Sequence, residues 1–361
     1  MTRLQQQLIE LIRIALTGKF SSENILDAID WQEILELASI QGVKGVVWSA
    51  IQDNPKVVAL LCLDDKLEWW GHIRNTEAKT TDMFNKSAEF AARLSPIPCV
   101  VLKGIDYARY WPNPRHREFG DLDCWCADQF EESNKRSVEI GATVEYESGG
   151  KHTHTKYKGL TIENHQYFTD MRIKAECVAN RILQECIGDE FKEIENTKLL
   201  SPNANFSALF MTEHAQGHFI LEGISLRHVL DWYFFLRKEV DNIDWTKVIP
   251  AMKEMRIWEF ARCMTQICID FLEKNDRLHE LFELADGEVQ RQRLSRLMLE
   301  DIIGEQPDVY DMRLSKKALR ILRRSRRMLR FRKLMSESYM TMLWRSLVYN
   351  SVTGLKPKRE S

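Results

Sequence analysis

The string "GDLDCW" sets two aspartates, Asp121 and Asp123, either side of one leucine. On a strand, alternation puts both carboxylates on one face and Leu122 on the other. Two carboxylates held this close repel each other unless a cation lies between them. Mg²⁺ or Mn²⁺ suits such a pair, because hard ions take carboxylate oxygens together with substrate phosphates. A third acid on a neighbouring strand would complete a two-metal arrangement for phosphoryl chemistry. Glu163 in "LTIENH" is the candidate, at a position whose face also presents Thr161 and His165. Upstream, "CVVLKG" ends in Lys103 and Gly104. The glycine lets the backbone approach a phosphate with no Cβ in the way, and the lysine offers a point charge. Arg115 and Arg117 lie in the loop before the aspartates, where a two-pronged guanidinium would neutralise phosphate oxygens. The competing reading makes the two aspartates the solvated polar edge of a strand; the combination of Lys-Gly, arginines and a third acid favours the nucleotide site.

The elements that must hold these residues form a strand-rich middle between helical flanks. "CVVLKG", "LDCWCA", "ATVEYES", "KHTHTKY" and "LTIENHQYF" read as strands, the last two joined in a hairpin across Lys158-Gly159. "DQFEESNKRSVEIG" reads as a helix closed by Gly141. Before them, "DWQEILELASIQG" has a capping Asp30, a helical apolar period and a stopping Gly42, and a longer helix ends at Pro96 and Pro98. After them, "FSALFMTEHAQGHFILEG", "SLRHVLDWYFFLRK" and "DWTKVIPAMKEMRIWEFARCMTQICIDFLEK" keep helical periods. The expectation is an α+β chain: an N-terminal helical region over 1–95, a small mixed sheet covered on one side over 96–200, and a C-terminal helical region over 201–350.

Other groups compete for a role. His214 and His218 are four apart, hence on one helix face. They read first as a packing pair and second as cleft-lining residues; as a zinc site they supply only two ligands and lack the H-E-x-x-H order. Arg227 and Asp231 share the same spacing and read first as partners of each other or of the strand-rich region, and second, with His165, as cleft-lining residues that face the substrate. His152 and His154 alternate on one strand and read as a solvated face, unless that strand is central. Cys124 and Cys126 fall opposite the aspartates by parity and read as core.

Composition sets the bounds. At 361 residues, 44% hydrophobic and 29% charged, the chain is ordinary globular material. It has no long uncharged apolar run for a membrane span. The eight cysteines show no C-x-x-C spacing and read as reduced thiols of a cytoplasmic protein. The net charge of -2 hides an asymmetry: 313–333 carries 11 basic residues and no acid, leaving 40 bases against 53 acids elsewhere. That amphipathic segment either neutralises the acidic body in cis, binds RNA or another polyanion, or lies on an anionic membrane surface.

The string "VVLKG", the helix "YARYWP", an arginine and "DLD" before an apolar strand resemble the uncharacterised bacterial nucleotidyltransferases of the polymerase-β-like fold. "IDWQEILELASIQGVKGVVWSAI" and "LFMTEHAQGHFILEGISLRHVLDWYFFL" are similar to the helical regions of that family, so the likeness spans most of 20–240. The resemblance implies metal-dependent transfer of a nucleoside monophosphate from an NTP to an acceptor hydroxyl. Asp121 and Asp123 match the metal-holding pair; Glu163 matches the third acid loosely. The wider fold has Gly-Ser or Gly-Gly after the first strand, whereas this chain has Lys103-Gly104-Ile105. The alternative is a catalytically weak or silent protein on the same fold that binds nucleic acid through its basic helix.

Overall fold

The architecture comes from a computed structural model, which describes residues 1–21, 24–146, 150–171, 174–284, 289–304 and 316–341, with side chains of 316–322 left out. Seven strands form one mixed sheet: β1 (Cys99–Val101), β2 (Leu122–Trp125), β3 (Thr143–Tyr146), β4 (His152–Tyr157), β5 (Leu160–His165), β6 (Lys192–Glu193) and β7 (Leu199–Ser201). Their spatial order is β3-β4-β5-β2-β1-β7-β6. β5 runs parallel to β2 and β7 runs parallel to β1; the other pairs are antiparallel.

Five helices precede the sheet: α1 (Arg3–Thr17), α2 (Trp31–Ile40), α3 (Lys44–Asp53), α4 (Pro55–Val58) and α5 (Leu63–Leu94). Asp30 caps α2 by accepting from the amides of Gln32 and Glu33, as its position before the apolar period predicts. Three helices lie among the strands: α6 (Ile105–Ala108), α7 (Phe130–Glu139) and α8 (Lys174–Ile187). Then follow α9 (Ala204–Leu221), α10 (Leu226–Glu239), α11 (Trp245–Glu254), α12 (Trp258–Ile267), α13 (Asp276–Leu281), α14 (Val289–Gly304) and α15 (Lys316–Arg330). The α+β expectation holds. Among the described residues no helix is long and apolar enough to cross a membrane.

Strand parity decides what each face of the sheet does. Cys99, Val101, Leu122, Cys124, Leu160, Ile162 and Leu199 project onto Phe84, Phe90 and Leu94 of α5, making one apolar layer. α7 docks beside it through polar contacts: Asn134 Oδ1 accepts from Thr153 and Asn164, and Ser133 Oγ accepts from Asn164. The opposite face is not bare, as a one-sided sheet would be. Val100, Leu102 and Trp125 pack there into a second core shared with Phe168, Phe206 and Phe210.

That second core joins the two helical flanks. Leu8, Ile34 and Val47 belong to it together with Phe235, Phe260 and Ile302. Buried Gln41 stitches them, donating from Nε2 to the Ile302 carbonyl at 3.0 Å and accepting the Leu226 amide at 2.8 Å. α15 is held in cis as well. Arg327 Nε donates to Asp301 Oδ2 at 2.9 Å with both side chains buried, Arg324 Nε donates to the Leu221 carbonyl, and Met328, Phe331 and Leu334 enter the core. Leu329, which the sequence pattern places alongside the apolar stripe, is 53% exposed. Arg313 to Ser315 of the basic segment fall outside the described residues.

All eight cysteines are free thiols. Cys99, Cys124, Cys126, Cys263 and Cys268 are buried, whereas Cys62 is exposed and caps α5.

Candidate active site

Asp121 immediately precedes β2 and Asp123 lies within it. Parallel pairing with β5 sets Asp123 directly beside Glu163, and Leu122 beside Ile162. The two aspartates and Glu163 therefore share a face, with one carboxylate oxygen from each lying within 4.8 Å of the others. Leu122, 1% exposed, points into the layer under α5 and aims its neighbours the other way.

The electrostatics are those of an under-neutralised acid cluster. Lys103, just past β1, places Nζ 3.1 Å from Asp123 Oδ2. Burial pulls Lys103 down, but Asp123, Asp121 and Glu163 outweigh it and raise it. Burial pushes Asp123 up; the His165 hydrogen bond and the Lys103 charge overcome this and hold it well below the usual carboxylate range. Burial, then the Asp123 charge, raises Asp121 and pushes Glu163 up to about 7. Two carboxylates titrating upward beside an ionised third are starved of positive charge. Three oxygen donors with one lysine among them leave charge for a hard divalent cation, so the residues fit such an ion.

Histidines crowd the same face. His165 Nε2 lies 3.1 Å from Asp123 Oδ1 and 3.8 Å from Glu163 Oε2. β4 is an inner strand, and its register sets His152 opposite His165 and His154 opposite Glu163. Both approach Glu163 Oε1 to 3.9 Å. His152 is thus turned into the acid cluster, which corrects the solvated reading; only His154 is exposed, at 42%. The signal was in the sequence. A two-residue turn at Lys158-Gly159, both with positive φ, pairs Tyr157 with Leu160, and counting back sets 154 against 163 and 152 against 165.

Beside Asp121 opens a cleft walled by Lys103, Gly104, Tyr107 and Phe119 on one side, with the Arg117–Asp231 pair also in its lining. Met211, His214, Arg227, His228, Trp232, Phe260 and Met264 of the C-terminal helices close the other side. Gly104 has φ 66 and ψ -101, a backbone state that side chains with a Cβ rarely adopt. Arg227 donates from Nη1 to the Glu118 carbonyl, while its buried Nε has no hydrogen-bond partner. Burial and the nearby Arg117 charge lower its affinity for its proton.

Both loop arginines are paired within the protein, and only Arg117 lines the cleft. Arg117 is buried with its fork on Asp231: Nε to Oδ1 at 2.8 Å and Nη2 to Oδ2 at 2.7 Å. Trp111 Nε1 adds a third bond to Asp231. Asp231 therefore pairs with the strand-rich region rather than with Arg227. Arg115 does not wall the cleft; it pairs with Glu195 and lies over the Phe84 ring. His214 reaches the cleft wall, whereas His218 is 43% exposed and pairs with Glu222.

A profile of the family described as uncharacterised nucleotidyltransferase matches residues 27–273. The chain belongs to that family. The match runs from α2 through the whole sheet and past α12, so it takes in the acid cluster and both walls of the cleft of this nucleotidyltransferase. No curated protein and no solved structure matches the chain.

Proposed function

We propose that the protein is a divalent-metal-dependent nucleotidyltransferase of the polymerase-β-like superfamily that moves a nucleoside monophosphate from an NTP to an acceptor hydroxyl. The observation that carries this is the placement of Asp121, Asp123 and Glu163 on adjacent strands, with Asp121 at the wall of a cleft that Lys103, Gly104 and Arg227 also line. Asp121 and Asp123 would hold Mg²⁺ or Mn²⁺. Bound there, the ions would stabilise the α-phosphate and the departing pyrophosphate. Lys103 and Arg227 supply the positive charge for the phosphates, with Gly104 admitting close backbone approach. The buried Nε of Arg227 has no hydrogen-bond partner and is a donor to spare for this. Arg117 acts by holding the loop before Asp121 against α10. Glu163, poised near neutrality, is placed to take the acceptor's proton.

The test is NTP binding and pyrophosphate release with and without Mg²⁺. Asp121→Asn with Asp123→Asn should abolish both, weakening Mg²⁺-dependent NTP binding by about 100-fold or more. Unchanged affinity and release would refute the assignment. The reading in which the basic helix binds a polyanion has less support, because Arg324 and Arg327 are used in cis. It rests on the exposed Arg326, Arg332 and Lys333.

A further inference from the structure

The same face of the sheet carries a second donor set that the nucleotidyl-transfer reading does not use. His152 and His165 stand directly opposite each other on β4 and β5, with Glu163 two residues from His165 on the same face. One donor atom from each lies within 4.8 Å of the other two. Each histidine lies nearer to one of the two Glu163 oxygens: His152 Nε2 to Glu163 Oε1 is 3.9 Å, and His165 Nε2 to Glu163 Oε2 is 3.8 Å. Donors around a tetrahedral ion with bonds of ~2.0–2.1 Å are about 3.4 Å apart, so the three donors would draw in from separations of at most 4.8 Å.

The hydrogen bonding of His165 points the same way. Its Nδ1 lies 3.3 Å from the Tyr167 carbonyl, which can accept in the tautomer that carries the proton on Nδ1. In that tautomer Nε2 presents a lone pair toward Asp123 Oδ1 at 3.1 Å and Glu163 Oε2, and a cation held there would replace the proton that otherwise bridges Nε2 to Asp123. A ligating histidine that donates its other N–H to a backbone carbonyl is the usual support of a metal-bound imidazole. The side chains sit on paired inner strands, and His165 is 3% exposed, so the set is pre-positioned.

We propose that His152, Glu163 and His165 form a binding site for a borderline-soft divalent ion such as Zn²⁺ or Co²⁺, distinct in chemistry from the all-oxygen set of Asp121 and Asp123. Two imidazoles and one carboxylate select such ions over Mg²⁺, and the set leaves a fourth position for water or Asp123. Glu163 belongs to both sets, so the soft ion takes the carboxylate that nucleotidyl transfer would use.

The experiment uses the full chain stripped of metal and titrated with Co²⁺, followed by its visible absorption, then with Zn²⁺ as competitor. The wild type is expected to bind one tightly held Co²⁺ that Zn²⁺ displaces and excess Mg²⁺ does not. His152→Gln and His165→Gln should each weaken it about tenfold or more, and Asp121→Asn should leave it within a few-fold. Wild-type affinity in both histidine variants, or loss of Co²⁺ in Asp121→Asn, would overturn the proposal; so would displacement by Mg²⁺, or a His165 that is simply doubly protonated and binds no metal. Should His165→Gln fail to fold, Zn²⁺-dependent melting decides: a rise in wild type that His152→Gln lacks supports the site, and an equal rise in both removes it. Asp121→Asn also separates this proposal from the catalytic one, since it removes Mg²⁺-dependent NTP binding only if that reading is right.

Discussion

Asp231→Ala should be among the most destabilising single changes in the chain. Asp231 is 2% exposed and receives three hydrogen bonds, two from the Arg117 fork and one from the Trp111 indole. Truncation leaves the guanidinium buried, with only a 3.4 Å contact to the Glu118 carbonyl. Removing one partner of a buried pair costs about 3–5 kcal/mol, and a stranded buried N–H about 1–3 kcal/mol. The two overlap because both are desolvation of groups around one carboxylate, so about 4–5 kcal/mol is expected. That is a large share of the ~5–15 kcal/mol that stabilises a typical domain. Urea unfolding of wild type, Asp231→Ala, Arg117→Met and Arg117→Met/Asp231→Leu gives the cycle. With both charges replaced by apolar groups, no buried ion is stranded, and the double variant should lie within about 2 kcal/mol of wild type. A single variant costing under about 1 kcal/mol, or a double variant as unstable as the summed singles, would refute the reasoning.

Three further outcomes are expected. His214 and His228 have their affinities for protons pushed well below the ordinary histidine range, first by burial and then by neighbouring His218 and Arg227 charges respectively. The unfolded chain therefore binds protons that the folded chain refuses, so stability is full above pH ~6.5 and falls below it, by up to about 1.4 kcal/mol per pH unit per histidine; urea midpoints between pH 7 and 5 should show the slope, and His214→Leu should flatten it. Gly104→Ala must place a Cβ at φ 66 and ψ -101; a cost of about 1–3 kcal/mol in melting is expected, and a variant as stable as wild type would show that the turn relaxes freely. Asp301→Ala removes the buried carboxylate to which Arg327 Nε donates and should cost about 1–3 kcal/mol, read as faster proteolysis at α15.

Where the sequence pattern was periodic or punctuated, it predicted structure well. Asp30 caps, the Lys158-Gly159 turn and strand parity at Leu122 all act within a few residues, and all stand in the fold. β6 and β7 escaped because two- and three-residue strands carry no period; they exist only through their pairing with each other and with β1. The two arginines before Asp121 show the other limit. Proximity in sequence says nothing of where a long side chain turns, and Arg117 turns to a carboxylate 114 residues away. For His152 the failure was different, since the information was present but required counting a register through the turn.

Gln41 carries a consequence for the order of events during synthesis. Its amide is satisfied by Ile302, 261 residues further along the chain. At about 5–20 residues per second, that partner emerges roughly 13–50 s later. For that interval Gln41 Nε2 lacks its buried acceptor, and the part of the core that α14 completes stays open. The nascent chain is then a natural client for a holding chaperone. A ribosome stalled before residue 302 should carry a protease-sensitive amino-terminal half.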